Sequence, residues 1–135
     1  VSGPPRSGVV VGAAIVRDGR VLAAQRSEPP ELAGGWEFPG GKVDPGESDG
    51  AALVRECHEE LGVKIRVGAR LGGDFPLESG QTLRVWWAEL VDGEPRPLEH
   101  LALRWLGSAE LYDVAWLAGD LPVVDLVRAH LAGSA

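Results

Sequence analysis

The sequence predicts an α+β domain in which a mixed β-sheet is packed between helices. Three observations carry this expectation. Two extended apolar segments lie near the start, a helix with recognisable caps follows, and further extended segments lead to a closing amphipathic helix. At 135 residues, with 44% hydrophobic and 24% charged side chains, the chain has the size and composition of one soluble domain with a real core.

Each element has a local reason. Val9–Val16 and Arg20–Gln25 flank Asp18-Gly19, a dipeptide suited to a two-residue hairpin turn. Val9–Val16 also follows Arg6, as the core of a secretion signal would. The run is too short to span a bilayer, and Asp18-Gly19 stands where a cleavage region belongs, so it reads as a strand. Residues 1–7 are expected to be a flexible leader, and 8–133 a single domain. Ser27–Gly35 holds two prolines and two glycines and is expected to be a loop leading to the active site. Ser48 can cap a helix that runs to Leu61, where Gly62 suits a left-handed end. Extended segments near Val67–Phe75 and Gln81–Leu90 follow, then a turn at Leu90–Glu94 and a short strand at Ala102–Leu106. Ser108 is expected to cap a short helix. A final helix from Asp120 to Leu131 would bury Val123, Val124, Leu126, Val127 and Leu131.

The helix from Ser48 carries the chemistry. Glu56, Glu59 and Glu60 stand at i, i+3 and i+4 and share one face, while Val54, Cys57 and Leu61 fall toward the other. Two carboxylates ~4 Å apart repel by roughly 4 kcal/mol at an effective dielectric near 20, so such a face needs a positive partner. Hard oxygen ligands suit Mg²⁺ or Mn²⁺, and Mg²⁺ commonly shares its shell between carboxylates and phosphates. Pro39-Gly40-Gly41 precedes the helix as a glycine turn that can approach a phosphate chain. Arg55, four residues before Glu59, can orient it. The competing reading is a solvated acidic surface.

Charge and cysteine content narrow the partners. A net charge of −7 argues against a nucleic-acid polymer, which calls for a basic footprint, but not against a nucleotide whose charge a metal offsets. The single cysteine excludes an internal disulfide and is compatible with a reducing cytoplasm. No membrane association is expected, and the protein is expected to be a monomer or homodimer.

The spacing of the cluster adds a resemblance. Gly41, five residues, Glu47, seven residues, then Arg55-Glu56-x-x-Glu59-Glu60-x-Gly62-Val63 resembles the complete signature of the Nudix hydrolases. Cys57 departs from it, standing where the family usually has an aliphatic residue; a buried cysteine behaves as a small hydrophobe. Ala24-Gln25-Arg26, the run from Leu32 to Lys42, Glu99 followed by Trp105, and Gly119-Asp120-Leu121-Pro122 look like the MutT-like and CTP pyrophosphohydrolase branch. The resemblance implies the α/β/α Nudix sandwich. It further implies that Glu56, Glu59, Glu60 and the carbonyl of Gly40 ligate metal, and that Glu99 approaches the metals and helps activate water. Glu47 is expected to tie the loop to the helix through Arg55. Arg26 and Lys42 are the natural phosphate contacts. Phe38, with Trp36 and Phe75, is a candidate wall for a base. Asp120 occupies the position that reads the base in that branch, against its simpler reading as an N-cap. An ionised aspartate only accepts hydrogen bonds, so cytosine or 8-oxoguanine would suit it better than adenine.

The expected activity is therefore Mg²⁺-dependent hydrolysis of nucleoside triphosphates, 8-oxo-dGTP or (d)CTP-type nucleotides or both, to monophosphate and pyrophosphate. The alternative is a Nudix hydrolase of ADP-ribose or dinucleoside polyphosphates. Those branches often carry a proline or tyrosine after the box, and Glu78–Gln81 has neither. A non-catalytic nucleotide-binding module is a third possibility, but such modules usually lose box glutamates and none is lost here. The preferred base, the sugar, the number of metal ions and which glutamate acts as base stay open at this stage.

Overall fold

The computed structural model describes residues 8–133, so the leader expected at 1–7 lies outside the described residues. The chain order is β1 (Val9–Arg17), β2 (Arg20–Gln25), β3 (Trp36–Glu37), β4 (Gly40–Lys42), α1 (Asp49–Leu61), β5 (Lys64–Pro76), β6 (Thr82–Asp92), β7 (Ala102–Leu106) and α2 (Leu121–Ala132). β1 and β2 form the expected hairpin, with φ of 53° at Asp18 and 75° at Gly19. β1 is the spine of the sheet. It runs parallel to β6 from Val9 opposite Thr82 to Ile15 opposite Ala88, and antiparallel to β4, with Gly12 opposite Gly40. β5 pairs antiparallel with β6, and β2 carries β3 and β7. Seven strands thus make one mixed sheet.

Successive side chains on a strand point to opposite faces, and this divides the interior. Val11, Ala13 and Ile15 enter one core with Leu22, closed by Ala52, Leu53, Cys57 and Leu61 of α1. Ala14, Val21 and Ala23 enter the other, closed by Val123, Val124, Val127 and Leu131 of α2. Buried on both faces, β1 is the near-continuous apolar run that such a position demands. The sheet lies between two helices, as the sequence predicts. Among the described residues no helix is long and apolar enough to cross a membrane.

Several local expectations change. β5 and β6 run further than anticipated, and β5 accommodates three register shifts against its partner. Ser108 caps no helix. Its segment is a turn followed by a single 3₁₀ turn at Leu111–Asp113, and the Glu110 carboxylate accepts from the Gly107 N–H at 3.0 Å instead. Leu126 is 41% exposed on α2 rather than part of its buried stripe. Asp120 precedes α2 in a helical conformation, and its side chain makes no capping hydrogen bond. The short strands β3 and β4 carry no periodicity a sequence could announce; they form because β1 and β2 offer free edges to the glycine turn.

Candidate active site

α1 is held at both ends by its own residues. The Ser48 hydroxyl accepts from the Ala51 N–H at 3.1 Å, and Gly62 closes the helix at φ 70°. This rigid helix lies beside β4 with almost no clearance. A Cβ on Gly41 would come within 2.5 Å of the Glu56 carboxylate, and one on Gly40 would meet the Val11 carbonyl oxygen at 1.9 Å. Gly40 is required by close approach to the β1 backbone, whereas at Gly41 the obstacle is a side chain that can shift. One opens the strand to β1, and the other leaves room for a carboxylate.

Arg55 fastens the loop to the helix. Its Nε and Nη2 each donate to Glu47 at 2.9 Å, its Nη1 donates to Glu56 at 2.8 Å, and Nη2 also reaches the Lys42 carbonyl at 3.1 Å. The same guanidinium lies 3.5 Å from Glu59. The Arg55 bonds hold the Glu47 carboxyl down at about 2, so it stays ionised under all ordinary conditions.

The three helix carboxylates meet different surroundings. Glu59 is half-exposed, its side chain at 49%, whereas the Glu60 side chain is buried, at 10%. Glu60 Oε1 lies 3.3 Å from the Gly40 N–H, and burial, followed by the neighbouring Glu56 carboxyl, pushes Glu60 upward. A buried carboxyl pressed against a second one needs either a shared proton or a cation.

On the far side of Glu60 sits a polar chain. His100, its side chain 4% exposed, places Nε2 3.0 Å from Glu37 Oε2 and 3.9 Å from Glu60 Oε1. Glu37 Oε1 in turn accepts from Arg26 Nη1 at 3.0 Å. Burial, then repulsion from Glu37, raises Asp120 to about 8, with Arg26 opposing. Glu37 therefore acts on both the carboxylate cluster and Asp120.

The NUDIX domain family matches residues 6–126, most of the chain. This chain is a Nudix hydrolase. A relative from Mycobacterium tuberculosis (strain H37Rv), named "Putative 8-oxo-dGTP diphosphatase 2", is 51% identical over 131 residues, covering 94% of this chain and 92% of the relative. The CTP pyrophosphohydrolase of Escherichia coli (strain K12) is 39% identical over 122 residues, covering 89% and 90%. Among solved structures, the solution structure of the E. coli ORF135 protein superposes with a TM-score of 0.80 at 36% identity, covering 98% of this chain and 96% of that one.

Nudix hydrolases generally need a divalent metal, and the donors here suit one. Glu56, Glu59, Glu60 and the Gly40 carbonyl supply hard oxygens, and the missing Cβ of Gly41 leaves space in front of Glu56. Among the described residues no group of three His, Cys, Asp or Glu side chains stands arranged to hold a metal ion.

The structure distributes the other sequence candidates unevenly across this Nudix site. Arg26 donates through Nη1 to Glu37 at 3.0 Å and through Nε to the Glu28 carbonyl at 2.7 Å. Lys42 is exposed at the end of β4. Phe38 is buried, its ring 5.0 Å from that of Trp116, and belongs to the core beneath the site. Glu99 is exposed, and its carbonyl accepts from the Ser27 hydroxyl at 3.0 Å. In the fold it is the neighbour of Glu99, His100, that points inward. Glu37 was missed altogether. The available signal was its place between two buried aromatics, Trp36 and Phe38, where strand alternation sends it to the opposite face.

Proposed function

We propose that this enzyme hydrolyses nucleoside triphosphates carrying cytosine or 8-oxoguanine to the monophosphate and pyrophosphate, using Mg²⁺, with Mn²⁺ able to replace it. The observation that carries the proposal is one arrangement. A carboxylate face on α1 opens against the Gly40-Gly41 turn, and Glu37 links it to a withdrawn Asp120. The first part suits phosphates and a cation, and the second suits a base.

Glu56, Glu59, Glu60 and the Gly40 carbonyl are the proposed ligands, with Glu99 joining when nucleotide is present. Bound there, the cation would neutralise phosphate charge and ease the attack of water. Arg55 keeps Glu56 and Glu59 oriented, Glu59 or Glu99 accepts the proton of the attacking water, and Arg26 and Lys42 offset charge on the phosphate oxygens.

Asp120 changes the specificity argument. Pushed up to about 8, it is mostly protonated at neutral pH and offers one donor beside one acceptor. Cytosine presents the complement at N3 and its amine, and 8-oxoguanine at O6 and N7–H. Adenine also presents an acceptor beside a donor, so Asp120 alone does not reject it. Preference for the first two rests on similarity to relatives named for 8-oxo-dGTP and CTP. The proposed setting is the cytoplasm, where such nucleotides are made and damaged.

The test is a Mg²⁺ assay across CTP, dCTP, 5-methyl-dCTP, 8-oxo-dGTP, dGTP, ATP and ADP-ribose, with products identified. Monophosphate and pyrophosphate from the cytosine or 8-oxoguanine substrates is the expected result. Cleavage of ADP-ribose alone would replace this activity with a different Nudix reaction. Glu59→Gln should slow turnover by about two orders of magnitude or more with an unchanged thermal midpoint.

A further inference from the structure

His100 has an unusual balance of contacts. Its Nε2 lies against two carboxylates, Glu37 at 3.0 Å and Glu60 at 3.9 Å, while its Nδ1 is buried with no hydrogen-bond partner among the described residues. A buried polar atom left unpaired is unfavourable. A side chain present only to fill space would not carry that cost, since leucine or phenylalanine would fill it without one. The imidazole is there for Nε2.

Glu37 already has its other oxygen on Arg26, so the His100 donor completes a two-sided clamp on one carboxylate. The clamp spans three segments: Arg26 after β2, Glu37 on β3, and His100 in the loop before β7. The loop carrying His100 is itself tied down, because the Ser27 hydroxyl holds the Glu99 carbonyl and the Leu101 N–H donates to the Gln25 carbonyl at 2.8 Å. Without the His100 N–H, Glu37 would face Glu60 across the same gap with nothing between them.

We propose that His100 is a positioning residue. It fixes the Glu37 carboxylate between the metal-binding face and Asp120, and so governs nucleotide affinity and base preference more than the chemical step. This deepens the nucleotide-hydrolase assignment and rests on it. A hydrogen bond to a charged group contributes roughly 1.5–3 kcal/mol, so its loss should appear as about a 10- to 100-fold change in nucleotide affinity.

The experiment compares wild type with His100→Leu and His100→Gln. It measures kcat and KM for CTP, 8-oxo-dGTP and dGTP, equilibrium binding of a nonhydrolysable CTP analogue, and thermal midpoint. For His100→Leu the expected result is KM and analogue Kd raised about 10-fold or more and compressed selectivity among the three nucleotides. Its kcat should stay within about threefold, and any fall in its midpoint should come with the change in affinity and selectivity. His100→Gln, whose amide can reach Glu37 as a donor, should recover much of the affinity. Loss of kcat without change in KM, or a lowered midpoint with normal kinetics and selectivity, would overturn the proposal. If His100→Leu does not fold, His100→Gln decides: a KM and selectivity like wild type sustains the clamp, and a shift as large as that of a wholly apolar site removes it. A wild-type enzyme that binds the analogue but hydrolyses none of the triphosphates would sink the assigned activity, while the Kd comparison would still judge His100.

Discussion

Asp120 shows how far a side chain's chemistry depends on its neighbours. As a solvated N-cap it would be ionised throughout the physiological range; enclosed beside Glu37 it holds its proton to about 8. Its folded value lies above its unfolded one, so the folded state binds the extra proton between roughly pH 4 and 8. The associated stability is complete below the unfolded value and is lost as pH rises through the folded one. Asp120→Asn should therefore flatten the fall in thermal midpoint between pH 5 and 8.5. The variant should exceed wild type by about 3–5 °C at the alkaline end and by little at the acid end. Equal midpoint curves for the two proteins would return Asp120 to the role of an ordinary surface carboxylate. At the same scale Gly41 works by what it lacks. Gly41→Ala should fold normally, because the Glu56 side chain can move aside, but that movement should cost about tenfold or more in activity at limiting Mg²⁺. Mg²⁺ titration of the rate is the measurement.

At the scale of elements, the glycine turn and α1 function as one piece because Arg55 and Glu47 join them through two parallel hydrogen bonds. Lysine keeps the charge but loses the fork. Arg55→Lys should thus lower kcat/KM by roughly 10- to 100-fold while leaving circular dichroism unchanged. The N-cap makes a different demand on the same helix. Ser48→Ala removes the bond to the Ala51 N–H and should reduce stability by about 1 kcal/mol in a urea titration, with specific activity of the folded protein preserved. These two outcomes separate holding the helix together from holding it against the loop. Both features were legible beforehand, since caps and the spacing of Glu47 from Arg55 are local. The 3₁₀ turn at Leu111–Asp113 was not, because Ser108 is an equally good start signal for a helix that the following chain never builds.

Across the whole molecule, one sheet with two cores sets the frame. Leu53 is fully buried between α1 and the sheet, so Leu53→Ala should cost about 2–5 kcal/mol, lowering yield and midpoint. Residual activity per folded molecule should approach wild type in a denaturant-corrected assay. The site itself is assembled from distant parts: Gly40 and Glu37 from short edge strands, Glu60 from α1, and His100 from the loop before β7. Glu37 and His100 lie 63 residues apart, and only the pairing of β2 with both β3 and β7 brings them together.

What the amino-acid order determined by itself was everything periodic or closely spaced. The hairpin at Asp18-Gly19, the capped helix, its acidic face and the Arg55 partnership all depend on residues within about two helical turns of one another, where geometry follows from sequence distance. The tertiary structure alone decided which polar groups lose their water. Burial turned Asp120 into a neutral carboxyl and pushed Glu60 upward, and the fold drew His100 rather than Glu99 inward. Desolvation is a property of enclosure, and enclosure exists only once strands far apart in the chain have paired.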